Sequence, residues 1–383
     1  MIIGYDGKRA AQNRTGLGNY SRFIIKSVAR NFPDEKLRLY VPDIRKAKFL
    51  EEIPFFHNIE TIYPDQWIWK QLPSAWRVWG ITPQISRDKI DIYHGVSNEL
   101  PLNIDRAKCH TVVTIHDLIM MSHPQLYPAI DRNVYAGKIK RACNIADKII
   151  AVSRFTARQL EERLGVPPKK IEVVYQGCDP LFGIRPEQNA MEEVKKKYNL
   201  PDRFILYVGT IEARKNLMLL AQALDIIKKQ SKNRHISEDI KVVAVGRPTP
   251  YMDEVKTFLK EKDISDRMMF CHNVPYKDLP VFYYLARMFV YPSVIEGFGI
   301  PLLEAVTAGL PAIGCVGSCL EEAGGEGSIY VAPDAPSAMA DTIVAVWDNS
   351  GLRSEMRRSG LLHAARFDEQ HLGNELMELY RHL

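Results

Sequence analysis

The chain has 383 residues, 46% hydrophobic and 25% charged, with 51 Lys+Arg against 46 Asp+Glu and a formal charge of +5. This composition fits an ordinary globular protein of two or three domains, long enough to bury its cores without disulfides, and it excludes low-complexity, short-repeat and coiled-coil classes. The charge is uneven: residues 1–185 are net positive and the remainder net negative, so the first half suits a phosphate-bearing substrate, an anionic membrane surface or simply a solvated basic face.

The opening "MIIGYDGKRA" is too short an apolar run, interrupted by Asp6, to be a signal peptide. No stretch is apolar for long enough to span a bilayer. "MIIGYD" reads as a strand, and Leu17, Tyr20, Phe23, Ile24, Val28 and Phe32 follow at helical spacing. "RLYVP", "DIYHG", "TVVTIH", "KIIAVS" and "KIEVVY" read as further strands. Their continuously apolar character predicts a parallel sheet covered by helices on both faces. Within this half, "QWIWKQLPSAWRVWG" holds Trp67, Trp69, Trp76 and Trp79 with Lys70 and Arg77. A basic, tryptophan-rich segment is either half core or a membrane-surface contact over residues 66–80.

Around residues 176–200 the alternation breaks, and "QGCDPLFGIRPEQ" reads as a linker. The pattern restarts with "FILYVG", "IKVVAVG", "MMFCHNV", "MFVYPS", "PAIG" and "SIYVA" as strands. A helical segment closes the chain from about Asp368. The sequence therefore predicts two doubly wound α/β halves in tandem, with ligands at the carboxyl ends of the strands and in the cleft between the halves. Six cysteines are scattered without a CxxC pair, which reads as reduced thiols in a cytosolic protein with no zinc site.

The densest functional signal is "SVIEGFGIPLLEA". Glu296, Gly297, Phe298 and Gly299 follow a strand, and Pro301 fits the first position of a helix whose apolar face includes Leu302 and Leu303. Free N–H groups in that first turn form an anion site, and the glycines permit close backbone approach. A diphosphate suits such a pocket. Carboxylates beside it need hydroxyl partners: an ionised Glu304 would reach a ribose and Glu296 a sugar. The plainer alternative is that both acids cap a helix dipole. Arg214 and Lys215 follow the strand in "ILYVGTIEARKN" and would neutralise a diphosphate, Arg in bidentate fashion.

In the first half, Gly16 and Gly18 of "NRTGLGNYS" stand ahead of a helix, where backbone N–H groups could face a phosphate. The run is GxGxxS, ending on Ser21, so it fails as a dinucleotide fingerprint. Only Asp43, after a proline, is available as the acid such a site would need. His116 and Asp117 end the strand "TVVTIH". A neutral imidazole there could hold a sugar hydroxyl or be structural, and His94 is a weaker candidate of the same kind. No DxD occurs, so cations and helix termini would supply the electrostatics that a metal supplies elsewhere.

Together "TGLG", "VTIHDL", "GTIEARKN" and "EGFGIPLLEA", in this order over nearly the whole chain, resemble the retaining glycosyltransferases of family 4. The resemblance implies the α/β GT-B fold, with two doubly wound Rossmann-like domains facing a central cleft. It implies an acceptor-binding domain at 1–185, a nucleotide-sugar donor domain at 186–367 and a last helix, 368–383, crossing back to the first domain. Implied chemistry is metal-independent transfer of a hexose from a nucleoside diphosphate sugar, with retention and no cofactor. Implied roles are Arg214 and Lys215, with the amides near Leu302 and Leu303, on the diphosphate; Glu304 on the ribose; Glu296 on the donor sugar; His116 near the reaction centre. Gly16 and Gly18 would approach the phosphates or the acceptor, and Asn273 and Val274 the base. The overall look suggests bacterial surface-polysaccharide mannosyltransferases, hence GDP-mannose as donor. The acceptor would be a saccharide or polyprenyl-linked saccharide at the cytoplasmic membrane face. A UDP-sugar donor, or a GT-B epimerase, remains the alternative, and no nucleic acid partner is expected.

Overall fold

The computed structural model describes residues 1–13, 15–231 and 240–383. Two compact units emerge: Met1–Cys178 with Phe367–Leu383, and Asp179–Arg366.

The first unit is built on a seven-stranded sheet: β1 (Ile2–Asp6), β2 (Lys36–Tyr40), β3 (Ile59–Ile62), β4 (Ile92–Gly95), β5 (His110–Ile115), β6 (Lys148–Ala151) and β7 (Ile171–Val173). Their spatial order is β3-β2-β1-β4-β5-β6-β7, and every pair is parallel. β3 was missed from the sequence because "IETI" is only half-buried at the sheet edge and lacks the apolar run of the central strands. The order reverses between β1 and β4, which places the loops after those strands side by side at a switch point.

The C-terminal helix Glu369–Arg381, capped by Asp368, packs against the helix Gly16–Asn31 of the same unit. Its Tyr380 hydroxyl lies 2.6 Å from His94 Nδ1 and donates to the Tyr5 hydroxyl at 3.2 Å.

The second unit has a six-stranded parallel sheet: β8 (Ile205–Val208), β9 (Val242–Val245), β10 (Met268–Cys271), β11 (Met288–Tyr291), β12 (Ala312–Cys315) and β13 (Ile329–Val331). The order is β10-β9-β8-β11-β12-β13, with its switch between β8 and β11. The four central strands are buried nearly throughout, as expected of a sheet with helices on both faces. The segment 176–200 is not all linker: after a tight turn at Pro180–Gly183, Gln188–Lys197 forms a helix. Met191 and Val194, three apart, bury one face of it, a short amphipathic pattern masked in the sequence by surrounding Lys and Glu.

Candidate active site

The second switch point gathers the charged residues. Arg214 and Lys215 sit in a 3-10 turn, Ala213–Lys215, after β8, and Glu296 lies in the loop after β11. The backbone of one loop hydrogen-bonds the other: Val294 N–H donates to the Arg214 carbonyl at 2.9 Å. The carboxylate of Glu296, 8% exposed, accepts from Lys215 Nζ at 2.5 Å and Arg214 Nη1 at 2.9 Å. Ser293 and Tyr291 hydroxyls donate to the same carboxylate at 2.6 and 3.1 Å. Lys215 also donates to the Tyr291 hydroxyl. This pairing of both cations with Glu296 was not read from the sequence, because the partners are about eighty residues apart.

Burial alone would raise the Glu296 carboxyl, but Lys215 and Arg214 outweigh it and hold it at about 2. Burial lowers Lys215, and Arg214 beside it adds to the lowering against the pull of Glu296. Arg214 is buried too, yet the Glu296 carboxylate pushes it upward. Arg214 pairs also with the more exposed Glu212 at 2.8 Å, so the two cations are held by two carboxylates, one buried and one that solvent screens, and an anionic ligand would compete for both cations.

The helix Ile300–Thr307 starts where Gly299 takes φ +100, and a Cβ there would also come within 2.6 Å of Leu320. The positive φ is what calls for glycine, and the Leu320 methyl would have to move for any side chain. Gly297 and the buried Phe298 lead into this turn. The amides of Leu302 and Leu303 are not the phosphate donors expected of them. They close on the Gly299 carbonyl at 2.9 and 3.3 Å, as the first turn forms. The amides without an intrahelical partner are those of Gly299 and Ile300, Pro301 having none.

Glu304 also differs from its reading as an ionised group. It is 5% exposed, and its Oε2 accepts from the Tyr283 hydroxyl at 2.7 Å. Burial drives its carboxyl up to about 8, against the lowering effect of that hydrogen bond. No cation offsets the desolvation as at Glu296, so two glutamates eight positions apart carry opposite shifts. Asn273, exposed with φ +56, and half-buried Val274 follow the end of β10.

In the first unit, Gly16 and Gly18 lie inside the first turn of the helix Gly16–Asn31 rather than ahead of it. The Gly18 amide is bonded to the Thr15 carbonyl at 2.9 Å, and a Cβ would stand 1.8 Å from the Asn13 carbonyl oxygen. Close packing of the helix on that loop therefore accounts for Gly18.

His116 follows β5 and is 6% exposed. Its Nε2–H donates to the Val96 carbonyl at 2.9 Å, which leaves Nδ1 to accept from the Gln176 amide at 2.9 Å. Burial lowers the ring to about 4, so it is neutral at physiological pH. A sugar hydroxyl reaching Nδ1 would take the place of Gln176, a partner that sequence spacing gave no means of finding.

His94 is not a site residue. It lies within β4, fully buried, bonded to Thr114 and Tyr380, and burial lowers it to about 3. Nearby, a cavity of about 180 Å3 is lined by Arg9, Leu17, Asn98, Asp117, Met120 and Tyr127 among others. Arg9 Nε is buried there without a hydrogen-bond partner.

Two family models divide the chain. "Glycosyltransferase Family 4" matches residues 25–181 and "Glycosyl transferases group 1" matches residues 190–362. The chain is 27% identical over 386 aligned positions to O-antigen chain mannosyltransferase B of Escherichia coli, covering 96% of each. It is 25% identical to the serotype-specific mannosyltransferase WbdA of the same organism, covering 96% of the chain but only 46% of that longer protein. Among solved structures, Anabaena Alr3699/HepE in complex with UDP and glucose superposes with a TM-score of 0.74 at 15% identity, covering 100% of both chains. At that identity the likeness bears on the fold alone.

Proposed function

Since the chain belongs to the family 4, group 1 glycosyltransferases, enzymes of the GT-B fold, we propose that it moves a mannosyl group from GDP-mannose, with retention, to a saccharide or lipid-linked saccharide. The observation that carries the reading is the Arg214–Lys215–Glu296 cluster at the second switch point, in a chain whose relative along 96% of its length is an O-antigen mannosyltransferase.

In this reading the donor diphosphate competes with Glu296 for Arg214 and Lys215, and the Gly299 and Ile300 amides complete its cradle. Charge developing on the leaving diphosphate is then met by groups already oriented, so no metal is needed. Glu296, released in part from its cations, turns to the sugar hydroxyls. A carboxylate held at about 2 is a weak base and a weak nucleophile, which favours an orienting role over a covalent one. Same-face attack, with the leaving phosphate taking the acceptor proton, follows. Glu304 accepts from the ribose in place of Tyr283.

The cavity with Arg9 takes the acceptor: the Arg9 guanidinium can donate to a hydroxyl or phosphate, and its methionine and tyrosine walls suit an apolar or ring face. The exposed Trp67, Ile68, Leu72 and Trp79, with Lys70 beside them, would rest on the membrane that carries a lipid-linked acceptor.

Anabaena HepE, which shares this fold, is solved with UDP and glucose, and a second reading has UDP-glucose or another UDP-sugar as donor. A donor panel read by nucleotide release decides between them. Release from GDP-mannose alone supports the first, release from a UDP-sugar alone supports the second, and no turnover of any nucleotide sugar rejects both.

A further inference from the structure

The second unit contains another cavity, of about 330 Å3, at the amino edge of its sheet. Arg287 immediately precedes β11 and Pro311 immediately precedes β12, and both line it. The Arg214–Lys215–Glu296 cluster belongs to the carboxyl ends of the same strands, roughly 13 Å away at 3.3 Å per residue along β11. The two sites are therefore separate.

Four arginines line this cavity, Arg185, Arg287, Arg353 and Arg357, and no Asp or Glu does. Among the described residues, none of the four has a carboxylate at ion-pair distance. Three of the four lie in the half of the chain that is net negative. Arg287 and Arg353 do have partners: both donate to the Trp347 carbonyl, at 2.6–3.0 Å, and Arg353 also to that of Val346. Those carbonyls end the helix Pro336–Asp348. A helix C-terminus offers about half a negative charge, and the helices Leu279–Leu285 and Ile300–Thr307 also end at this wall, at Ala286 and Ala308, so helix ends offset only part of the four full positive charges.

Positions 350, 353, 354 and 357 share one face of the helix Ser350–Ala364, so Ser350 and Ser354 alternate with the two arginines along the cavity wall. Tyr283 and Leu310 add apolar wall. Burial lowers Arg287, and repulsion from Arg353 and Arg203 adds to the lowering against the pull of Asp348.

We propose that this cavity is a second binding site, for a compact anion bearing a diphosphate or more than one phosphate, distinct from the sugar donor. Guanidinium groups bind phosphate oxygens in bidentate pairs, and the serine hydroxyls can donate beside them. An occupant would also touch Tyr283, whose hydroxyl holds the Glu304 carboxyl on the other side of the ring.

The test uses inorganic pyrophosphate and peptide-resolved hydrogen exchange on the full chain. Pyrophosphate should slow exchange in peptides spanning 350–357, independently of any effect at 293–304. Arg185 and Arg357 are exposed, and changing them should not disturb folding. The Arg185→Ala/Arg357→Ala variant should melt with the wild type and lose protection at 350–357, while keeping whatever appears at 293–304. Arg357→Gln alone should raise the half-protecting pyrophosphate concentration about tenfold, as loss of one charge-assisted contact does. Protection confined to 293–304, or protection at 350–357 that survives the double change, overturns the proposal. Neither outcome touches the donor-site reading, which rests on residues the variants leave intact.

Discussion

Lys215 Nζ stands 2.5 Å from Glu296 Oε1 in a pocket from which both side chains are almost wholly shielded. Arg214 completes the group from the other carboxylate oxygen. Removing the acid leaves Lys215 without its carboxylate beside Arg214, which keeps only the more exposed Glu212, the costly way to break a buried pair.

Glu296→Gln should therefore lower stability by about 3–5 kcal/mol and slow turnover by roughly a hundredfold through a misplaced donor sugar. A nucleoside diphosphate would restore the missing negative charge, so it should raise the melting temperature of Glu296→Gln more than that of the wild type. Thermal unfolding with and without the diphosphate measures this. Equal stabilisation of the two proteins would mean that the diphosphate does not meet these cations.

The opposite shifts of the two glutamates predict opposite pH effects. Glu304 rises from an ordinary 4.5 to about 8. Between those values the unfolded chain has released a proton that the folded chain retains, so stability falls as pH rises across the window, by at most ~1.4 kcal/mol per unit. Glu296, held at about 2, contributes stability present above 4.5 and lost as pH falls toward 2. Glu304→Gln should remove the loss between pH 4.5 and 8 and leave the acid limb unchanged. Denaturant titrations at a series of pH values check it, and a slope unaltered by the substitution would show that Glu304 titrates normally.

Much of this was legible in sequence, and what was not has a physical pattern. Twelve of the thirteen strands carry enough apolar residues to be marked in sequence, and β3, half-exposed at an edge, does not. Glu296, Arg214 and Lys215 were each found from their place after a strand, but their mutual pairing depends on which strands lie side by side, which only the sheet order shows. The protonation of Glu304 was invisible for a related reason: it depends on Tyr283 and on the lack of a nearby cation, both consequences of packing. His94 and His116 end similar strands in the sequence, yet one is wired to the C-terminal helix and the other to Gln176.

His116 should remain neutral down to about pH 4, with its proton on Nε2. Its folded value lies below the ordinary 6.5, so it contributes stability that is present above 6.5 and lost as pH falls toward 4. Gln176→Glu would set a carboxylate against Nδ1, draw a second proton to the ring and raise its titration toward neutrality. Nitrogen chemical shifts of the ring, followed with pH in wild type and variant, report both the tautomer and the shift. If transfer needs a neutral imidazole, kcat of Gln176→Glu should fall on the acid side of that raised value, while a merely structural role would leave the pH–rate profile where it was.

The tryptophan-rich segment divides into an anchor and a free face, and the two make different predictions. Trp76 is fully buried, and Arg77, expected from sequence to belong to a basic outer face, is instead enclosed by Asp6 and Glu99 at 2.5–3.2 Å. Burial would lower Arg77, but these two acids outweigh it and push it upward, so Arg77 has no charge to spare for a lipid headgroup. Arg77→Ala should destabilise the fold by about 3–5 kcal/mol, because it strands the Asp6 carboxylate. Trp67 and Trp79 are 76% and 51% exposed and can be removed without leaving a cavity. Trp67→Ser/Trp79→Ser should keep its melting temperature and its activity on a soluble saccharide acceptor. It should lose sedimentation with vesicles containing anionic phospholipid, where interfacial tryptophans contribute most. A double variant that still sediments fully with such vesicles would place membrane contact elsewhere on the chain.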